Sequence, residues 1–278
     1  VAGVRALADD ARARADRAGA GPAVRLVMPE PFALPVGEHE GKRLLAWLGI
    51  ATPARVACDD RVDAHAALAR LGAPVVVKML EPVVLHKARV GGVRLGVRTG
   101  DDLDAALDAL DAAGARRYLV EETAPPGLDL IVGARRDPVF GPVVLLGLGG
   151  DLAEDLETVA VRPAPLSEAT AAGMLEELLR QAGPHHLDRS ALAAALASLG
   201  ALVDVVPELD EIEINPLRAL ADGRLVALDV VVGGLGETGT RIAGGVAGTG
   251  TLDGADALSA AITNPPAVAV PADGQGGH

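Results

Sequence analysis

Apolar and polar positions along the chain alternate with two periods, and the changes between them divide the sequence into elements. From Glu38 to Leu48 the apolar residues Leu44, Leu45 and Leu48 fall on one face at helical spacing, and Gly49 closes the segment. Helical patterning returns over 63–71, which ends before Gly72, and over about 101–113, 167–181 and 188–202. A charged stretch at 4–18 also has helical spacing. Short β-branched and aliphatic runs at 74–79, 93–97, 117–121, 128–132 and 142–146 predict strands, set off by Pro-Pro-Gly and Gly-Pro turn signals. The segments 211–220 and 224–232 flank Ala221-Asp222-Gly223 and predict a β-hairpin. Beyond Gly233 the chain is rich in Gly, Ala, Thr and Pro with weak periodicity, which predicts a flexible tail with at most a short helix near 253–262. Short helices mixed with hairpin-like strand pairs indicate an α+β protein with mixed or antiparallel sheets, not the regular alternation of a doubly wound sheet.

Composition narrows the picture. Half of the 278 residues are hydrophobic, yet the chain has one Trp, one Tyr and two Phe, so a core or a nucleobase pocket must be aliphatic. The formal net charge of −13 excludes a protein built mainly to grip a nucleic-acid phosphate track, although a nucleotide needs only a few cations and a metal. Cys58 is the sole cysteine and can form no intrachain disulfide. No apolar run approaches the roughly 18 residues that span a bilayer, and the N-terminal residues lack a signal-peptide pattern. A cytoplasmic protein that does not enter the membrane is the expectation.

The most informative chemistry lies on the predicted hairpin. Residues two apart on a strand share a face, so Glu213 and Asn215 point together while Ile212 and Ile214 point to the other side. A two-residue Asp-Gly turn sets Asn215 opposite Val230; a three-residue loop with Gly223 left-handed sets it opposite Asp229. Only the second register gathers Glu213, Asn215 and Asp229, three hard oxygen donors that suit Mg²⁺. A solvated hairpin face is the alternative. Lys78 interrupts the apolar run 74–79 and must either meet an anion, such as a phosphate, or reach solvent from an edge strand. His86-Lys87 precedes Gly91-Gly92, where the backbone can approach a phosphate closely and the histidine could accept a phosphoryl group. Gly147-Leu-Gly-Gly150 followed by Glu154 is a second Gly-rich loop, and Arg162 is a candidate phosphate clamp.

In this order, the segments resemble the ATP-grasp domain of ADP-forming acetyl-CoA and acyl-CoA synthetases and, more distantly, the nucleotide-binding β subunit of succinyl-CoA synthetase. The resemblance runs over about 36–232. It is carried by Glu38-His-Glu-Gly-Lys42, Leu48-Gly-Ile-Ala-Thr-Pro53, Gly72-Ala-Pro-Val-Val-Val-Lys78, Leu85-His-Lys87, Val90-Gly-Gly-Val93, Leu119-Val-Glu-Glu122, Arg136-Asp-Pro-Val-Phe-Gly-Pro142, Gly147-Leu-Gly-Gly150, Glu213-Ile-Asn-Pro-Leu217 and Leu228-Asp229. It implies an ATP-grasp fold at 36–232 after an N-terminal extension at 1–35. Its smaller lobe covers about 55–116 and its larger lobe 117–232, with ATP or ADP held between them.

The resemblance also implies residue roles. Lys78 meets the phosphates, with Lys87, Gly91, Gly92 and Arg162 nearby. The backbone around Glu121, Glu122 and Thr123 reads adenine, and Asn215 and Asp229 hold Mg²⁺ with Glu213 close by. His86, with Glu154, takes part in moving a phosphoryl group to and from a phosphohistidine on a CoA-binding α-type subunit or domain. The implied reaction converts acyl-CoA, ADP and phosphate to a carboxylic acid, CoA and ATP. Three positions depart from the family pattern. Ala88-Arg89 replaces Ser-Asp, Glu157-Thr158 replaces Lys-Asp, and Glu213 stands where aspartate is frequent. The first two lie near the implied phosphoryl path, so a module that binds nucleotide without catalysis and another ATP-grasp carboxylate ligase stand as alternatives.

Overall fold

A computed structural model describes residues 22–26, 34, 36–80, 91–149, 159–182 and 186–234. Two antiparallel sheets organise them. The smaller has the order β1-β4-β2-β3, formed by Arg55–Cys58 (β1), Tyr118–Glu122 (β4), Val75–Met79 (β2) and Val93–Val97 (β3). The larger has the order β10-β8-β5-β6-β7 with β9 paired to β8. It comprises Val230–Gly234 (β10), Leu209–Leu220 (β8), Gly127–Asp137 (β5), Gly141–Leu148 (β6), Val159–Pro163 (β7) and Leu225–Ala227 (β9).

Each sheet is covered on one face. Helices α2 (Arg61–Leu71) and α3 (Gly100–Ala112) close the smaller sheet over a core containing Val75, Val77, Leu103, Leu107, Leu110 and Val120. Their starts are fixed locally: the Asp60 side chain accepts from Asp63 N, and Thr99 and Asp102 form a reciprocal capping box. On the larger sheet, α4 (Glu168–Ala182) and α5 (Arg189–Val205) cover the face carrying Leu130, Val132, Val144, Leu146, Ile212 and Ile214.

Helix α1 (Glu38–Trp47) joins the two units. Leu45 is buried in the larger core, and a Cβ on Gly41 would lie 2.9 Å from Val230 Cγ1, so only glycine lets the helix sit this close to β10. After α1 the chain runs past β9, where Ala227 N donates to Ala51 O at 2.8 Å, and enters β1. Strand β4 therefore belongs to the smaller sheet, not to the larger lobe expected to begin at 117, because its register places Val120 beside both Val56 and Val77. The expected helices at 4–18 and 253–262 lie outside the described residues.

Candidate active site

The hairpin resolves the question of register. Leu217 pairs with Ala227 and Ala219 with Leu225, Leu220 N donates to Arg224 O, and Gly223 has φ +87°. This is the three-residue loop with a left-handed glycine. The same register continues in β10, where Val230 pairs with Ile214 and Val231 with Glu213. Asn215 therefore lies opposite Asp229. Asn215 Nδ2 lies 3.3 Å from Glu213 Oε1, and Val230 N donates to Asp229 Oδ1 at 2.8 Å. Gly133 faces Glu213 from β5, so no side chain crowds the carboxylate from that strand. Two carboxylates and an amide oxygen on a rigid strand pair form the donor set a hard, oxygen-seeking cation such as Mg²⁺ takes. Among the described residues no group of three or more His, Cys, Asp or Glu forms a denser alternative.

Next to this hairpin is a buried ring of four charges. Lys78 and Glu121 share the face of the smaller sheet that faces away from α2 and α3, and α1 presents Glu38 and Lys42 to them. Lys42 Nζ lies 2.5 Å from Glu121 Oε1 and 2.8 Å from Glu38 Oε1. Lys78 Nζ lies 2.5 Å from Glu38 Oε1 and 2.9 Å from Glu121 Oε2. Both ammonium groups also donate to the carbonyl oxygen of Leu228, each at 2.7 Å. Burial opposes the charge on Lys78, but Glu38, Glu121 and Asp229 outweigh it and hold its pKa above the ordinary lysine value. Burial, reinforced by Lys78, pulls Lys42 the other way.

Several expected roles change with this geometry. Lys78 is indeed met by anions, but the anions are the protein's own, so a phosphate has to displace one of them or share the ammonium. Glu121 is a member of the ring, and Glu122 is exposed at the end of β4. The N–H groups of Glu122 and Thr123 donate to Ala54 O and Pro74 O, because β4 is an interior strand; they are already used by the fold. Arg162 points to the helix-covered side, where it pairs with Glu177 of α4 at 2.6 Å, the opposite side of the sheet from Glu213. That orientation turns it away from the sheet face that carries Glu213. Gly91 and Gly92 lead into β3, and Gly92 O accepts from Met79 N at 2.9 Å. His86, Lys87 and Glu154 lie outside the described residues.

Glu38 and Lys42 were not singled out as site residues from sequence. Their signal was present: the i, i+4 pair lies on the helical stripe that continues to buried Leu45, and charged residues on an apolar stripe need partners. The aliphatic surface expected for a nucleobase has a counterpart on the uncovered face of the larger sheet, where Ile131 and Leu145 pack with Val159 and Val161.

Two antiparallel sheets with their own helical covers, an oxygen-donor hairpin and adjacent buried lysines define a nucleotide-handling protein of the ATP-grasp class. Residues 35–233 match the family model described as an ATP-grasp domain, and the chain belongs to that family. Within it, the chain belongs with the β subunits of ADP-forming acetate–CoA ligases. It is 32% identical over 206 residues to "Acetate--CoA ligase [ADP-forming] I subunit beta" of Pyrococcus furiosus, covering 69% of this chain and 88% of that one. It is 28% identical over 212 residues to "4-hydroxybutyrate--CoA ligase [ADP-forming]" of Nitrosopumilus maritimus, covering 70% of this chain but 30% of that longer protein. A solved structure of the Ca. Korarchaeum cryptofilum dinucleotide-forming acetyl-coenzyme A synthetase 1 superposes with TM-score 0.59 at 33% identity, covering 70% of this chain and 91% of the other. That protein is in complex with coenzyme A and Mg-AMPPCP, with its phosphohistidine segment pointing towards the nucleotide-binding site.

Proposed function

We propose that this chain is the ATP- and ADP-handling part of an ADP-forming acyl-CoA synthetase. It exchanges a phosphoryl group between nucleotide and a phosphohistidine carried by a CoA-binding α-type subunit or domain. The net reaction takes acyl-CoA, ADP and phosphate to a carboxylic acid, CoA and ATP. The carrying observation is the hairpin register that brings Asn215 opposite Asp229 with Glu213 on the same face. When bound, Mg²⁺ supplies charge neutralisation for the nucleotide phosphates, and phosphoryl transfer chiefly needs positioning and charge stabilisation from a protein.

The chain's own residues divide the work. Glu213, Asn215 and Asp229 hold the cation, and Lys78, itself paired with Glu38 and Glu121, stands within electrostatic reach of Asp229. Ile131, Leu145, Val159 and Val161 offer the base an aliphatic wall, the material the composition allows. His86 and Glu154 act on the phosphoryl group. The acid and CoA are recognised by the partner, consistent with the longer ligase, of which this chain spans 30%. Among the described residues no helix is long and apolar enough to cross a membrane. We place the protein in the cytoplasm, a reducing compartment that suits its single buried thiol, Cys58.

The test combines the purified chain with a CoA-binding partner and ATP labelled at the γ-phosphate. Acid-labile label on the partner's histidine, dependent on His86 of this chain, is the expected result. Nucleotide binding with no transfer to any partner points to a binding module without catalysis.

A further inference from the structure

The buried ring does more than neutralise itself. Strand β9 ends at Ala227 and β10 begins at Val230, so Leu228 and Asp229 fall in the gap between two ladder segments. Leu228 N still donates to Pro216 O at 3.0 Å, whereas its carbonyl is taken by the ammonium groups of Lys42 and Lys78. The Leu228 C=O and the Asp229 N–H belong to one planar peptide unit that also contains the Asp229 Cα. Two charge-assisted bonds on that oxygen therefore set the plane from which the Asp229 side chain departs, where a continuous strand would have used ladder bonds.

We propose that Lys42 is a positioning residue for the metal-binding carboxylate of Asp229, acting through the Leu228 carbonyl; this rests on the metal-site reading above. Helix α1 makes the arrangement rigid. Gly41 seats it against Val230 and Val232, the strand that continues directly from Asp229, so donor and acceptor are carried by elements already in contact. Lys42 is fully buried, so its ammonium has no solvent-facing role to compete with this one. Glu38 and Glu121 balance the two lysines, so the carbonyl is held by cations without adding net positive charge beside a site meant for a divalent cation. Groups that orient a metal ligand without touching the metal govern affinity strongly, with losses of about 10- to 100-fold on removal.

The experiment uses the full chain and measures Mn²⁺ binding in the presence of ADP by electron paramagnetic resonance. ADP binding is measured separately in chelator by calorimetry. Lys42→Met leaves an uncompensated buried carboxylate, so Lys42→Met/Glu38→Gln is tested beside it; this double variant removes one charge of each sign and keeps the Lys78–Glu121 pair. In the folded double variant, Mn²⁺ binding is expected to weaken by about 10-fold or more while metal-free ADP affinity stays as in the wild type. Unchanged Mn²⁺ affinity, or equal loss of Mn²⁺ and metal-free ADP binding, overturns the positioning role. A wild-type chain that binds ADP but no Mn²⁺ overturns the metal site itself, and the positioning role with it.

Discussion

Two acidic regions lie next to each other and use the same residue types differently. In the ring, Glu38 and Glu121 each meet two lysines within 2.9 Å, all four side chains are buried, and the formal charges cancel. In the hairpin, Glu213 and Asp229 share their face with a neutral amide, Asn215, and the hairpin itself supplies no lysine. The first region closes on itself through four short ion pairs, whereas the second sets its carboxylates beside an amide on a strand pair. Carboxylate count alone does not distinguish the two regions; the geometry around each carboxylate does.

The largest effect comes from unbalancing the ring. Lys42→Met is expected to lower stability by about 3–5 kcal/mol, the usual consequence of stranding a buried charge, as read from urea denaturation. Adding Glu38→Gln should recover much of that loss. If Lys42→Met is neutral, the ring is not the closed structural unit described. By contrast, Asp229→Asn should cost less stability than Lys42→Met, because Asp229 supports the Lys78 charge less than Glu38 and Glu121 do and both of those ion pairs remain. Its consequence is functional: the gain in ADP affinity on adding Mg²⁺ should disappear in calorimetric titrations.

Smaller effects sharpen the contrast with ordinary ion pairs. Arg162→Ala breaks the partly exposed contact with Glu177 and should cost about 0–1 kcal/mol, with ADP affinity unchanged. A fall in affinity would return Arg162 to the nucleotide. The weakest expectation concerns Asp111 on α3, whose carboxyl is held below the usual range by the Tyr118 hydroxyl and by Arg61. A depressed carboxylate pKa contributes stability above the unfolded value of about 3.9 that is lost as pH falls through the folded one. Asp111→Asn should therefore flatten, slightly, the acid limb of a stability-against-pH curve. No flattening would show that this cluster contributes nothing measurable.

Much of the fold was legible because its elements are specified locally. Strand β3 occupies Val93–Val97 as its pattern predicts, and α1 ends before Gly49. The hairpin carried its own answer in Gly223, although sequence allowed two registers and the left-handed glycine selected one. Elements specified by distant partners were harder to read. β1, only Arg55–Cys58, is too short to show a period and is defined by pairing with β4. β5 continues through Gly133-Ala-Arg-Arg136, a stretch that lacks an apolar run but is held by β6 and β8 on either side. The second strand of the hairpin also breaks at Leu228-Asp229, where lysines from α1 and β2 replace ladder bonds. The ring unites residues from 38 to 228, and such long-range contacts leave little trace in local periodicity. Arg162 was misread for the same reason: its residue type suits a phosphate, but the pleat of β7 turns it toward α4.

The most direct test of the nucleotide site is a calorimetric titration of ADP into the wild-type and Asp229→Asn chains, with and without Mg²⁺. The wild type should bind ADP more tightly when Mg²⁺ is present, and Asp229→Asn should retain metal-free binding while losing that increment. An equal Mg²⁺ increment in both chains would contradict the assignment of the hairpin as the metal centre.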